Sequence, residues 1–124
     1  MRDHKLWTWH VGAGIVILVL LGLHMAIMHL DDTLGIFNPA GGHGIDWKNV
    51  VARGQHAAFL VIYVLLLGTA LYHGFYGLRN IVFELGIGPQ LKRGVSWVLL
   101  LAGIGLFVLG TWAAWAGFRL AGAL

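Results

Sequence analysis

The chain has 124 residues, of which 59% are hydrophobic and only 10% are charged, and it carries a net charge of +3 with no cysteine. Soluble domains have a charged fraction of about a quarter, so this composition indicates a membrane protein. Without cysteine, disulfides, thiolate metal sites and Cys-x-x-Cys-His haem attachment are excluded, and any metal must be held mainly by histidine. The basic residues are scattered, so nothing indicates a nucleic-acid partner.

Three apolar runs, at 11–30, 57–78 and 95–118, contain no Lys, Arg, Asp or Glu. Each is long enough for a hydrocarbon core about 30 Å thick, which needs roughly 20 helical residues. We predict an all-α integral membrane protein with three transmembrane helices at about 7–31, 52–85 and 94–118, forming a single domain over 1–124. The first run is too long for the apolar part of a signal peptide, so we interpret it as a true span.

The basic residues favour a cytoplasmic amino terminus. Five fall on one side of the predicted membrane and three on the other: Arg2, Lys5, Arg79, Lys92 and Arg93 against Lys48, Arg53 and Arg119. Because cytoplasmic loops carry the excess of Lys and Arg, the first side is predicted to be cytoplasmic. The sequence thus predicts a multi-pass protein of the cytoplasmic (inner) membrane.

The first predicted helix carries His10, His24 and His29. His10 lies near the membrane surface, where it contacts either a cofactor propionate or quinone head group, or simply water. Five residues separate His24 from His29, about 140° around a helix, so one haem face cannot take both. Ionisable side chains deep in a membrane usually mark function, so we predict that His24 is a haem ligand rather than a structural hydrogen-bonding residue. For His29 the preference is reversed: it is predicted to be solvated beside the acidic residues that follow it rather than to be a haem ligand.

The segment 31–53 contains Asn-Pro and Gly-Gly pairs that break regular structure. We predict a loop that ends at Asp46, where an amphipathic lead-in to the second transmembrane helix begins. No chemistry is assigned to His43, Arg53 or His56.

In the second apolar run, His73 is the only ionisable side chain besides the tyrosines. Gly77 lies about 40° from His73 on the same helix face and would make room for a porphyrin edge. Arg79 lies about 9 Å from His73 along the helix axis and could meet a haem propionate. The alternative is that His73 is a helix-packing hydrogen bonder and Arg79 an ordinary membrane-surface anchor. The three residues in this order favour His73 as an axial haem ligand.

The two histidines lie at different depths. His24 is about 25 Å along the axis from Trp7, toward the outer leaflet, whereas His73 is within about 10 Å of Arg79 on the inner side. They cannot ligate the same iron, so the chain would contribute to two haems. The third predicted helix has no histidine, and the second axial ligands must come from another chain. Small residues of that helix suit packing against a partner helix: Gly103, Gly110, Ala113, Ala114 and Gly117.

Two segments, HMAIMH at 24–29 and LYHGFYG at 71–77, together resemble the membrane-anchor cytochrome b subunits of succinate:quinone oxidoreductases, which include fumarate reductases. The second segment, with Arg79 and Glu84 after it, looks like the family's second-helix haem segment. The first is similar to the histidine pair of the di-haem members, whose first histidine ligates the distal haem. The resemblance covers all three spans. This chain departs from the family at the quinone site. Many single-haem relatives have an arginine and a serine near the start of the first helix and a tyrosine after the acidic residue of the second, whereas this chain has the segment 10–14 and Leu85 at these places.

The resemblance implies a subunit of respiratory complex II, which contributes to the tricarboxylic acid cycle. A flavoprotein with FAD would interconvert succinate and fumarate, an iron–sulfur protein with its clusters would pass electrons, and a second membrane anchor would share two haems b with this chain. This chain would be non-catalytic, would bind haem through His73, His24, Gly77, Arg79 and His10, and would support electron transfer to or from quinone within membrane lipid. Trp9, His10 and Arg79 are candidate quinone contacts, and the side of Arg79, Lys92 and Arg93 is the predicted docking face.

Two other classes remain open from the sequence. One is the cytochrome b anchor of another respiratory dehydrogenase, although such anchors usually carry more spans and more histidines. The other is a haem-free structural anchor, in which His24 and His73 only pack.

Overall fold

The computed structural model describes residues 2–30 and 42–123, with side chains placed for 4–29 and 42–123, and every element in these ranges is a helix. Helix α1 spans Arg2–Met25 and continues as a π-helical turn, Ala26–Leu30; α2 spans Trp47–Gly54, α3 Ala57–Glu84 and α4 Pro89–Ala121. Within these ranges, three stretches are long and apolar enough to cross a membrane: His4–His29, Ala57–Glu84 and Pro89–Ala121. The predicted all-α, multi-pass membrane fold is confirmed.

The second predicted helix, 52–85, is in fact two helices. Asp46 is the N-cap residue of α2, as expected for the lead-in. The chain then leaves helical geometry at His56, whose extended backbone caps the start of α3. The predicted loop before α2 lies, over 31–41, outside the described residues.

The other two helices are longer than the apolar runs that predicted them. α4 begins at Pro89 rather than near 94, because proline suits the first turn of a helix, and it continues to Ala121. α1 begins at Arg2 rather than near 7. Hydrophobic runs mark the part of a helix inside the membrane, whereas the helices themselves extend into the polar flanks.

The helix α3 is the centre of the molecule. Both α1 and α4 pack against it, and within the described residues α1 and α4 do not contact each other. The three long helices therefore form an open row rather than a closed bundle. Among described apolar residues, only Ala13 and Ala121 are buried, which a membrane tolerates because lipid tails are as apolar as the side chains.

The α3–α4 interface is built on rings that lie against glycines of the facing helix. A methyl group added at Gly68 of α3 would lie 3.1 Å from Phe107 Cε2 of α4, and one at Gly103 of α4 would lie 3.1 Å from Phe75 Cδ2 of α3. We call each such position a glycine notch. Gly110 likewise faces Leu67. Gly103 and Gly110, predicted to suit a partner helix, are thus used inside this chain.

Helix α2 ties together one end of the row. Gln55 Nε2 donates a hydrogen bond to the Ala121 carbonyl at 3.0 Å. The buried Arg53 guanidinium donates to the Gly44 carbonyl and contacts Met28 Sδ at 3.4 Å. The carboxyl ends of α1 and α4 and the start of α3 therefore meet here. Because the helices alternate in direction, Arg79, Lys92 and Arg93 lie at the opposite end.

The notch at Gly103 should be required for α3–α4 packing. We expect Gly103→Leu to lower the free energy of unfolding by about 1–3 kcal/mol, since the added side chain overlaps the Phe75 ring. The matched control is Gly105→Leu, because a Cβ there has nothing within 4 Å. Detergent-titrated unfolding of the purified chain, followed by circular dichroism, measures both; equal stabilities would contradict the packing role.

Candidate functional site

His73 lies at the interface of α3 with α1, where its ring stacks on that of His10. The ring centroids are 4.1 Å apart and the planes differ by 3°. His73 Nδ1 lies 3.0 Å from the His10 carbonyl oxygen. Because a carbonyl only accepts hydrogen bonds, Nδ1 carries the proton, and in the neutral ring Nε2 presents its lone pair. This is the tautomer that binds a metal through Nε2, with Nδ1–H held by a backbone carbonyl.

The two histidines are seated by a reciprocal pair of glycine notches. The spacing His-x-x-x-Gly occurs twice, as His10 with Gly14 and as His73 with Gly77. A methyl group at Gly14 would lie 3.0 Å from His73 Cε1, and one at Gly77 would lie 3.3 Å from His10 Cε1. Each ring thus lies against the glycine of the other helix, and the space beside Gly77 predicted for a porphyrin edge is taken by His10. The repeated spacing on oppositely directed helices was the sequence signal for this pairing.

His10 belongs to the His73 site rather than to a separate surface site. Its ring also contacts Tyr76, with centroids 5.2 Å apart. Its Nδ1 is buried and has no hydrogen-bond partner among the described residues. A buried polar atom left in this way is costly unless another group satisfies it. His10 thus has a buried ring nitrogen without a partner among the described residues, in addition to the free lone pair of His73 Nε2.

Tyr72, which sequence reasoning did not single out, anchors the start of α1 to α3. Its hydroxyl donates a hydrogen bond to the Leu6 carbonyl at 2.8 Å, and its ring stacks on Tyr76 with centroids 5.7 Å apart. Leu6 lies one helical turn before His10. The Tyr72 bond therefore fixes the depth at which His10 meets His73.

His24 lies far from the His10–His73 pair. Its ring contacts Tyr63 of α3 edge-on, with centroids 5.9 Å apart at 79°, and no hydrogen bond to a described residue fixes its ring nitrogens. Tyr63 and His73 are separated by about 15 Å along α3, and His10 and His24 by about 21 Å along α1. The structure thus keeps His24 and His73 at separate depths. His29, in the π-helical turn, is exposed.

Arg79 is directed toward α4 and not toward His73. Its Nε donates to Ser96 Oγ at 3.0 Å, and its guanidinium lies 4.3 Å from the Phe83 ring centroid. Six residues place Arg79 about 120° around α3 from His73. It lines a groove of about 670 Å³ between α3 and α4, together with Tyr72 and Tyr76. Its contact with a haem propionate stays a prediction.

Within the described residues, no three His, Cys, Asp or Glu side chains come together in a way that could hold a metal ion. A haem iron needs only one or two axial ligands from protein, since the porphyrin supplies the rest. The hydrogen bond from Nδ1 to the His10 carbonyl gives His73 the fixed tautomer that such a ligand requires.

The reciprocal notches lead to a matched test. Gly14→Ala and Gly77→Ala should each lower the free energy of unfolding by about 1 kcal/mol relative to Gly12→Ala and Gly74→Ala. The first pair would press a methyl group against the histidine rings, whereas the control pair has nothing within 4 Å. All four Gly→Ala variants gain the same helix propensity, so the difference in unfolding free energy between the two pairs reports the contact with the histidine rings. Thermal unfolding in one detergent is the measurement, and four equal values would argue against the reciprocal packing.

Comparison with known proteins gives a consistent picture. No family model and no solved structure matches the chain. The succinate dehydrogenase hydrophobic membrane anchor subunit of Thermoplasma acidophilum is 28% identical over 102 residues, covering 79% of this chain and 73% of the relative. The protein of the same name from Archaeoglobus fulgidus is 26% identical over 104 residues, covering 84% of this chain and 81% of the relative. Neither name mentions cytochrome b or haem. Over most of its length, the chain is thus similar to subunits named as membrane anchors of succinate dehydrogenase.

Proposed function

We propose that the chain is a membrane-anchor subunit of a succinate:quinone oxidoreductase and that His73 is an axial ligand of haem b. Two relatives named as succinate dehydrogenase anchors, matched over most of both chains, support the anchor role. The observation that carries the haem assignment is the hydrogen bond from His73 Nδ1 to the His10 carbonyl. It leaves the lone pair of Nε2 free for iron.

The surroundings of His73 fit an iron ligand in two further respects. The stacked His10 ring and the notch at Gly14 hold the imidazole in one orientation. The ring is also half-buried at an interface of two apolar helices, which keeps water away from a bound group. Haem would supply a one-electron carrier inside the membrane. His73 would bind and orient it, while the His10 carbonyl would hold the Nδ1 proton.

The haem would be shared with a second membrane-anchor subunit. α1, α3 and α4 form an open row, and the faces of this row remain available to helices of another chain. α4 contains no histidine and so could not provide the second axial ligand. The relatives' names imply a succinate dehydrogenase complex, so the flavoprotein and iron–sulfur subunits are the proposed hydrophilic partners and quinone the electron acceptor or donor. With its amino terminus in the cytoplasm, the end bearing Arg79, Lys92 and Arg93 would face these subunits.

A second haem would be bound by His24. This assignment is supported by the depth of His24 in the membrane and by its position beside the aromatic ring of Tyr63. A ligand there would use a ring nitrogen that no described residue occupies. The outer haem would also need its second axial ligand from the partner anchor.

A haem-free structural anchor is the second candidate, and one observation favours it. The stack on His10 and the bond to its carbonyl give His73 a packing role that needs no cofactor. In that case the His10–His73 pair would serve only to join α1 to α3.

Haem content separates the two functions. A reduced-minus-oxidised spectrum of the purified complex should contain b-type absorbance, and its absence would leave the structural anchor. We expect His73→Ala to remove about half of the haem measured as pyridine haemochrome, because each histidine would serve one of two sites. His24→Ala should remove the other half, and His56→Ala, an exposed histidine at the start of α3, is the control.

His73→Met keeps the experiment decisive if His73→Ala fails to assemble. Methionine is also an axial haem ligand and raises the reduction potential. Retained haem with a higher potential would support ligation by this residue. Unchanged haem content and potential in both His73 variants would overturn it.

A further inference from the structure

Three cations converge on one pocket at the end of the row opposite α2. Arg79, Lys92 and Arg93 line a cavity of about 290 Å³ together with Phe83 and Ser96. The Arg79 guanidinium and the Lys92 ammonium lie over the same Phe83 ring, 4.3 and 5.3 Å from its centroid. Among the described residues, none of the three cations forms an ion pair. Three positive charges around one pocket favour the binding of an anion there.

The pocket continues into an apolar groove along α3 and α4. The groove, of about 670 Å³, shares Arg79, Ser96 and Leu100 with the pocket. It extends along α3 from Arg79 to Gly68, about 16 Å of helix. Apart from Arg79, Ser96 and two tyrosines, its lining is apolar. The combined shape is a cationic head site joined to an apolar channel that runs into the membrane.

We propose that this pocket and groove bind one anionic phospholipid, with its phosphate among Arg79, Lys92 and Arg93 and an acyl chain in the groove. Ser96 Oγ accepts a hydrogen bond from Arg79 Nε. The two Nη nitrogens of Arg79 form no hydrogen bond with a described residue, so they can make a bidentate contact with phosphate. Basic pockets between transmembrane helices bind anionic lipid head groups by the same chemistry. This site is independent of the haem assignment.

Other occupants fit less of the site. A quinone head group is neutral and would leave the three positive charges uncompensated. An acidic segment of a soluble subunit could pair with the cations but could not fill the apolar groove. A propionate of a haem on His73 would have to reach around α3, because Arg79 lies about 120° from that histidine.

Native mass spectrometry of the detergent-purified complex tests the proposal. We expect dioleoylphosphatidylglycerol to be retained in preference to dioleoylphosphatidylcholine, which has the same tails and no net charge. Arg79→Gln and Lys92→Gln should each weaken that retention about fivefold, since each cation near the surface contributes comparably. The matched control is Arg119→Gln, which removes a cation that also lies over an aromatic ring, Trp115, at 5.3 Å.

Several outcomes would overturn the lipid site. Equal retention of the two lipids would remove the role of charge, and displacement of the lipid by inorganic phosphate at equal concentration would leave a simple anion site. Loss of haem without loss of lipid in Lys92→Gln would assign the pocket to a propionate. Retention of the lipid only after the soluble subunits have been dissociated from the complex would assign the pocket to a protein partner. His73→Ala should leave lipid retention unchanged, so failure of the haem assignment is distinguishable.

Discussion

Rings seated in glycine notches join α3 to both of its neighbours, and the rest of the structure depends on this contact. Phe75 and Phe107 lie against Gly103 and Gly68 on the α4 side. On the α1 side, the rings of His10 and His73 lie against Gly77 and Gly14. Without a hydrophobic driving force between helices in lipid, close backbone approach and van der Waals contact supply the association. The same packing device therefore builds an apolar interface and a histidine pair.

The α1 interface differs because its rings are polar. In hydrocarbon, a histidine must direct its N–H to an acceptor, and the carbonyl of His10 lies within reach of His73 only because the glycines bring the two backbones close. Close packing thus fixes a tautomer, and the tautomer decides which nitrogen has a lone pair to offer. The packing and ligand roles of His73 are compatible, and haem content decides whether the second role is used.

The opposite side of α3 serves a different chemistry. Arg79 lies about 120° from His73 and, with Lys92, meets the Phe83 ring at the surface end of a groove. Sequence order placed Arg79 shortly after His73 and led to a predicted contact with the haem of His73. Spacing along a chain gives the depth of a residue, whereas rotation around the helix gives its face. Arg79 faces α4, and its contact with a haem propionate stays a prediction.

The sequence by itself determined the membrane class, the three spans and the separate depths of His24 and His73, because hydrophobic runs and the helical rise are local properties. It did not determine the exact helix ends, the break at His56 or the use of Gly103 within the chain, since these depend on capping and on the facing helix. Only the tertiary structure paired His10 with His73. Two copies of His-x-x-x-Gly become one reciprocal site only when their helices run in opposite directions at matching depth.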